Sequence, residues 1–208
     1  MPAASASNSR NVAILVFDEV EVLDFAGPFE VFSVAGSELP ARPYAPFFPY
    51  LIGLNEQPVM ARGGFAVQPR YRFDEAPAPD VLLIPGGSGT RRLLKHPALL
   101  QWLREQAARV EVLASVCTGA LVLGAAGLLD GRRVCTHHQA YERLRELAPG
   151  ALPQEGRRFV QDGALWTSGG ISAGIDMSLA LVQALVGETA PVRTEMEWMW
   201  VDQADRAA

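Results

Sequence analysis

The chain has little cysteine, little histidine, no long apolar run and no surplus of basic residues. Only Cys117 and Cys135 occur among 208 residues, which excludes a disulfide framework and suits a reducing cytosol or a catalytic thiol. Three histidines and two thiols form no ligand pattern such as C-x-x-C with H-x-x-x-H, so no metal site is expected. No run approaches the roughly 20 apolar residues of a membrane span, and the opening residues MPAASASNSR lack the apolar core of a signal peptide. A cytoplasmic protein without membrane contact is the expectation. Lys and Arg total 18 against 23 Asp and Glu, a formal net charge of −5. Pairs such as Arg91-Arg92 and Arg132-Arg133 are scattered along the chain. No basic stripe tracks a phosphate backbone, so nucleic acid is not an expected partner.

What is present is a chain that is 49% hydrophobic and 20% charged, enough for one substantial core. A flexible N-terminal tail is expected over residues 1–10, one domain over 11–200 and a C-terminal tail over 201–208. The runs NVAILVF (11–17), DVLLIP (80–85) and EVLASV (111–116) are continuously apolar, as strands buried on both faces are. YLIGL (50–54) predicts another strand and RRVCTHH (132–138) a short one. FVQDGALWTSGG (159–170) predicts a hairpin turning at Asp162-Gly163. Helices are expected behind Pro28 as far as Gly36, over 91–110 with a break or second start at Pro97, and over 118–129, 140–148 and 175–187. Asp18 and Glu21 have capping-box spacing, and Asp24 is placed on the loop ahead of Pro28. The Pro-rich segment 37–49 reads as a loop and 63–73 as irregular extended chain. Strands alternating with helices predict an α/β domain, a mainly parallel sheet with helices on both faces.

In such sheets ligands bind at the carboxyl ends of the strands. That rule selects Asp24, Gly86-Gly87, Cys117 and His137 together. SVCTGA (115–120) runs from strand to helix with no turn residues between, the layout of a nucleophile elbow. There Cys117 would meet the positive end of a helix dipole, which favours thiolate; the alternative is a small buried hydrophobe. Asp24 fits acid–base work or a helix cap. Gly86 and Gly87 offer unobstructed N–H groups for an oxyanion or serve a tight turn. His137 would hold a proton or a polar substrate group. Cys135 is either a resolving thiol or a buried strand residue. Asp176 and Glu30 read as helix support, and Trp198 and Trp200 as core or interface.

The blocks VLDFAGPFEVF, LIPGGSGT, SVCTGALVLGAAGLLDG, CTHH and TSGGISAGIDMSLALV together resemble the ThiJ/PfpI superfamily. Within it they are most similar to the branch holding isonitrile hydratases and the amidotransferase-like domains of AraC-type regulators. The resemblance implies a three-layer sandwich of flavodoxin-like, class I glutamine amidotransferase-like type. It also implies Cys117 as nucleophile, Asp24 as the carboxyl group beside it, His137 near the thiol, and Gly86, Gly87 and Thr118 around the intermediate. Hydration of an isonitrile to an N-substituted formamide, without a cofactor, is the implied reaction on a small-molecule substrate. A thiol sensor and a deglycase or amide hydrolase are the alternatives. The superfamily commonly dimerises, which implies a homodimer. His138 stands where members of this branch often carry an aromatic residue, a departure that bears on the pocket wall.

Overall fold

The three continuously apolar runs form the centre of a seven-stranded sheet. The computed structural model describes residues 9–38, 45–187 and 189–196. In chain order the elements are β1 (Arg10–Leu15), α1 (Val22–Glu38), β2 (Phe47–Gly53), β3 (Val59–Ala61), β4 (Phe65–Val67), β5 (Tyr71–Arg72), β6 (Val81–Ile84), α2 (Thr90–Leu93) and α3 (Pro97–Ala107). There follow β7 (Val112–Val116), α4 (Gly119–Ala125), β8 (Arg133–Val134), α5 (Tyr141–Leu147), β9 (Leu152–Pro153), β10 (Phe159–Asp162), β11 (Leu165–Ser168), α6 (Ser172–Val186) and α7 (Ala190–Glu195). The sheet order is β10-β11-β7-β6-β1-β2-β5, parallel throughout except for β10 against β11. Every residue of β6 and β7 is buried, as are Val12 to Leu15 of β1, because helices cover both faces. The chain steps from β1 to β2 in one direction and from β6 to β7 in the other, so right-handed crossovers put α1 and α2–α3 on opposite faces. Accordingly α1 packs on α6 and α7, and α4 on α2, α3 and α5. This is the expected three-layer α/β sandwich. The order reverses between β1 and β6, and a crevice at their carboxyl ends is where such sheets bind ligands.

The local differences from the sequence reading have physical reasons. α1 begins at Val22, so Asp24 lies in its first turn and Pro28 lies inside the helix. Pro28 has no N–H to give the Asp24 carbonyl; tight packing of α1 on α6 holds the helix there, since a Cβ on Gly27 would stand 2.7 Å from Ile175. No Asp18–Glu21 capping box forms: Asp18 Oδ1 accepts the Met60 N–H and Glu21 pairs with Arg62. β2 starts at Phe47 and includes Pro49. β5 pairs only with Ile52 and Gly53, which leaves the Pro49 stretch at an open edge where proline is tolerated. The 132–138 strand shrinks to β8, which pairs with β9 outside the main sheet, and the 118–129 helix shortens to α4. Within 59–67 a small hairpin, β3–β4, forms. Pro97 is the second helix start, with the His96 imidazole accepting the Leu99 N–H. The β10–β11 hairpin and the Gly187 helix end match the reading. Arg10, assigned to the tail, opens β1; residues 1–8, 201–208, Trp198 and Trp200 lie outside the described residues.

Candidate active site

Three strand ends meet here. Cys117 follows β7, Gly86 follows β6, and Asp24 descends from α1, which follows β1. Cys117 has φ +57, a left-handed conformation that costs a non-glycine residue about 1 kcal/mol or more. The surroundings enforce it: the Cys117 N–H donates to the Ser168 and Gly169 carbonyls, both at 3.1 Å, and its carbonyl accepts from Thr136 Oγ1 at 2.7 Å. Gly119 permits the turn, because any Cβ there would overlap the Ile84 carbonyl oxygen. The elbow holds Cys117 buried, 7% exposed.

Asp24 is fully buried. Its Oδ1 accepts the Ile171 N–H at 2.8 Å and its Oδ2 the Gly86 N–H at 3.1 Å. Its carboxyl also hydrogen-bonds the Cys117 side chain. Burial pushes Asp24 up from 3.8 to about 6, against the pull of the two N–H groups and the thiol, with the Glu21 charge adding to the rise. Burial, and then the Asp24 charge, push the Cys117 thiol up to about 12, outweighing the Thr118 N–H that favours thiolate. This corrects the expected thiolate: desolvation beside a carboxylate exceeds what the first N–H groups of the seven-residue α4 return. The pair therefore rests as a thiol donating its proton to a carboxylate.

Gly86 and Gly87 serve first through their size and their bonds. A Cβ on Gly86 would lie 2.6 Å from Cys117 Cβ, 2.6 Å from the Thr118 nitrogen and 2.8 Å from Asp24 Oδ2. The Gly86 N–H is given to Asp24, and the Gly87 N–H to Thr118 Oγ1 at 3.0 Å. Both donors expected for an oxyanion thus have acceptors already. Thr118 favours the anionic form of the sulfur beside it, and its hydroxyl donates to the Gly87 carbonyl at 3.3 Å.

His137 borders the same space, half-buried. A Cβ on Gly170 would stand 3.1 Å from His137 Cδ2 and 3.2 Å from Cys117 Sγ. His137 Nδ1 accepts the Gln139 N–H at 3.3 Å, which leaves its proton on Nε2. Burial, then the neighbouring His138, lowers its pKa and keeps the ring neutral at pH 7. His138 is exposed, with its ring 4.1 Å from that of His137.

The remaining candidates stand apart from the thiol. Cys135 is fully buried just past β8, its Sγ 3.0 Å from the Thr167 carbonyl, a packed core residue. Asp176 pairs with Arg158, which also donates to Ser172 Oγ at 3.1 Å, and Glu30 faces solvent. Sequence reasoning missed Gly170, Glu21 and the Ile171 N–H. Gly169-Gly170 ahead of a helix is a signal of close approach, but Ile171 has φ +57 and ψ −109, a conformation that argues against a β-branched residue. Among the described residues no group of three or more His, Cys, Asp or Glu is placed to hold a metal ion, and no helix is long and apolar enough to cross a membrane.

With this geometry established, the chain can be set beside known proteins. It is 40% identical over 189 residues to an isonitrile hydratase of Pseudomonas putida, covering 90% of this chain and 78% of that enzyme. It is 31% identical over 150 residues to the HTH-type transcriptional regulator CdhR of Pseudomonas aeruginosa, 72% of this chain and 44% of the regulator. The crystal structure of a ThiJ/PfpI family protein from Pseudomonas syringae superposes with a TM-score of 0.82 at 28% identity, covering 97% of this chain and 80% of that one. Residues 10–184 match the DJ-1/PfpI family, and with a thiol and a buried carboxyl meeting at the strand ends of the shared fold, the chain belongs to that family.

Proposed function

We propose that this protein is a cysteine-dependent enzyme that hydrates a small electrophilic carbon, with conversion of an isonitrile to an N-substituted formamide as the reaction it fits best. The observation that carries this reading is the buried Cys117–Asp24 pair: a thiol hydrogen-bonded to a carboxyl whose pKa is raised to about 6, poised to accept and return a proton near neutrality.

As the Cys117 sulfur attacks the terminal carbon of R–NC, its proton passes to Asp24 and then to that carbon. The product is the neutral thioimidate R–N=CH–S–Cys117. Water adds to the same carbon as Asp24 takes its proton and returns it to nitrogen. Collapse of R–NH–CH(OH)–S–Cys117 expels the sulfur, which recovers the hydroxyl proton through Asp24, and leaves R–NH–CHO. The Thr118 N–H at the start of α4 stabilises the sulfur as it leaves. The neutral His137 shapes the pocket and offers Nε2–H to a polar substrate group. Gly86 and Gly87 hold Asp24 and Thr118 in place. The scheme needs no cofactor. The enzyme is read as cytoplasmic, in keeping with its two unpaired thiols, and as a homodimer on its likeness to the family alone.

The test is turnover of cyclohexyl isonitrile, followed as isonitrile loss and formamide formation, by wild type, Cys117→Ala and Asp24→Asn. Turnover by wild type and a loss of at least about 10³-fold in both variants is expected for residues that act as a unit. An inert wild type whose Cys117 reacts readily with peroxide would instead favour the thiol-sensor reading, to which the likeness to regulators lends support.

A further inference from the structure

The mechanism leaves one partly buried carboxylate beside the site unused. Glu21 is anchored on both sides by its own backbone: its N–H donates to the Gly86 carbonyl at 2.9 Å, and its carbonyl accepts the Asp24 N–H at 3.1 Å. Its side chain is only 20% exposed and accepts from Arg62 Nη1 at 2.8 Å, whereas the Arg62 side chain is 70% exposed. Arg62 lies in the turn of the β3–β4 hairpin, and main-chain bonds tie that hairpin to the same loop. The Glu19 N–H meets the Met60 carbonyl at 2.7 Å, and the Arg62 N–H meets the Val20 carbonyl at 2.9 Å. The Glu21 charge acts on both flanking groups, raising Asp24 and opposing the lowering of His137.

The balance of charge around the thiol is therefore uneven. Residues 18–24 carry Asp18, Glu19, Glu21 and Asp24, and Arg62 and Arg92 pair with Glu21 and Asp18 across this loop from solvent-facing positions. Of these carboxylates Glu21 and Asp24 are shielded, whereas Asp18 and Glu19 are exposed like the two guanidiniums, so water screens the exposed charges of both signs more than it screens Glu21 and Asp24. Burial and the neighbouring His138 hold His137 toward its neutral form, so it offsets the carboxylates little. A substrate bearing a carboxylate would enter against this field, and a neutral or cationic one would not.

We propose that Glu21, held by Arg62, is a specificity-determining residue that makes the Cys117 site select small electrophiles with neutral or cationic substituents over those carrying a carboxylate. The inference rests on the proposed reaction for its electrophile, but the charge selection belongs to the pocket and can be read without turnover.

The first arm of the test measures alkylation of Cys117 by neutral iodoacetamide and anionic iodoacetate at pH 8.5, with Cys117→Ala giving the background from Cys135. The ratio of the two rates cancels any change in thiolate fraction and is normalised to that of free cysteine. Wild type should prefer the neutral reagent more than free cysteine does. Glu21→Gln should lower the normalised ratio about five- to thirtyfold, the effect of one partly screened charge. Glu21→Asp should retain the preference, and Arg62→Gln, which removes the screening cation and leaves the Glu21 backbone bonds intact, should enlarge it. The second arm compares kcat/KM for cyclohexyl isonitrile and 4-isocyanobenzoate in the same proteins, with the change expected in KM for the anion. A wild-type ratio equal to that of free cysteine, or one unmoved in both Glu21→Gln and Arg62→Gln, would overturn the proposal. Charge-dependent alkylation without isonitrile turnover would overturn the hydration reading and leave this one standing.

Discussion

Asp24 and Cys117 share one proton in a dry place, and their pH behaviour follows from that. The Asp24 carboxyl is raised from 3.8 to about 6, so kcat/KM for hydration should fall below about pH 6 as the base is lost. It should stay flat to pH 9, because the thiol lies near 12. Alkylation of Cys117 by iodoacetamide should rise continuously to pH 9.5; a plateau below pH 8 would show a thiolate and contradict the arrangement described. The same shift bears on stability. A carboxyl whose folded pKa exceeds its unfolded value binds its proton more tightly in the native state, so its contribution is full below about pH 4 and is lost as pH rises through 6. The loss amounts to roughly 3 kcal/mol. Urea unfolding of wild type between pH 4 and 7 should show this slope, and Asp24→Asn should lack it. Cys117 and Asp24 were legible in the sequence as candidates because each follows an inferred strand, where sheets of this kind bind ligands, although a buried hydrophobe and a helix cap stood beside those readings. Their ionisation was not, because it depends on burial and on neighbours 62 and 147 positions away from Asp24.

At the scale of elements, the site is assembled from tight turns whose tolerance differs. Gly86 is wedged among Cys117, Thr118 and Asp24 within 2.8 Å of where a Cβ would sit, whereas a Cβ on Gly170 would be 3.1 Å from His137 and 3.2 Å from the sulfur. Gly86→Ala should therefore cost about 1–3 kcal/mol of overpacking as well as activity. Gly170→Ala should cost well under that and act mainly by filling the pocket, lowering kcat/KM at least about tenfold with Tm nearly unchanged. Thermal unfolding and turnover on the two variants would check the contrast; equal stability losses would refute it. The sequence located the Pro97 helix start, the β10–β11 turn and the Gly187 cap, where local backbone chemistry decides. It misplaced the start of α1, because packing of α1 on α6 carries the helix through Pro28, and it left Glu21 without its role because Arg62 is brought there by a hairpin of distant residues.

Across the whole molecule, stability resides in the doubly covered sheet. Leu83 is fully buried in β6 at the centre of the sheet, and Leu83→Ala should cost about 2–5 kcal/mol. The Arg10–Glu111 ion pair at the far end of the strands is partly exposed, with Nε–Oε2 at 2.6 Å; Glu111→Gln should cost less than about 1 kcal/mol. Denaturant unfolding of both would separate the contributions, and comparable losses would place stability at the surface instead. The sequence by itself determined the fold class, since continuous apolar strands alternating with helices can be satisfied only by a parallel sheet covered on both faces. It also placed Gly86 and Cys117 at the carboxyl ends of β6 and β7, whereas Asp24 lies in the first turn of α1 and His137 follows β8, outside the main sheet. The resemblance already implied that Asp24 stands beside Cys117; only the tertiary structure decided that the Gly86 and Gly87 N–H groups are already bound, that Gly170 lies against the thiol and that Glu21 is bonded to the Gly86 carbonyl. Those relations arise where the ends of β1, β6 and β7, the start of α6 and the β3–β4 hairpin converge, and no local periodicity encodes distances between segments that far apart in the chain.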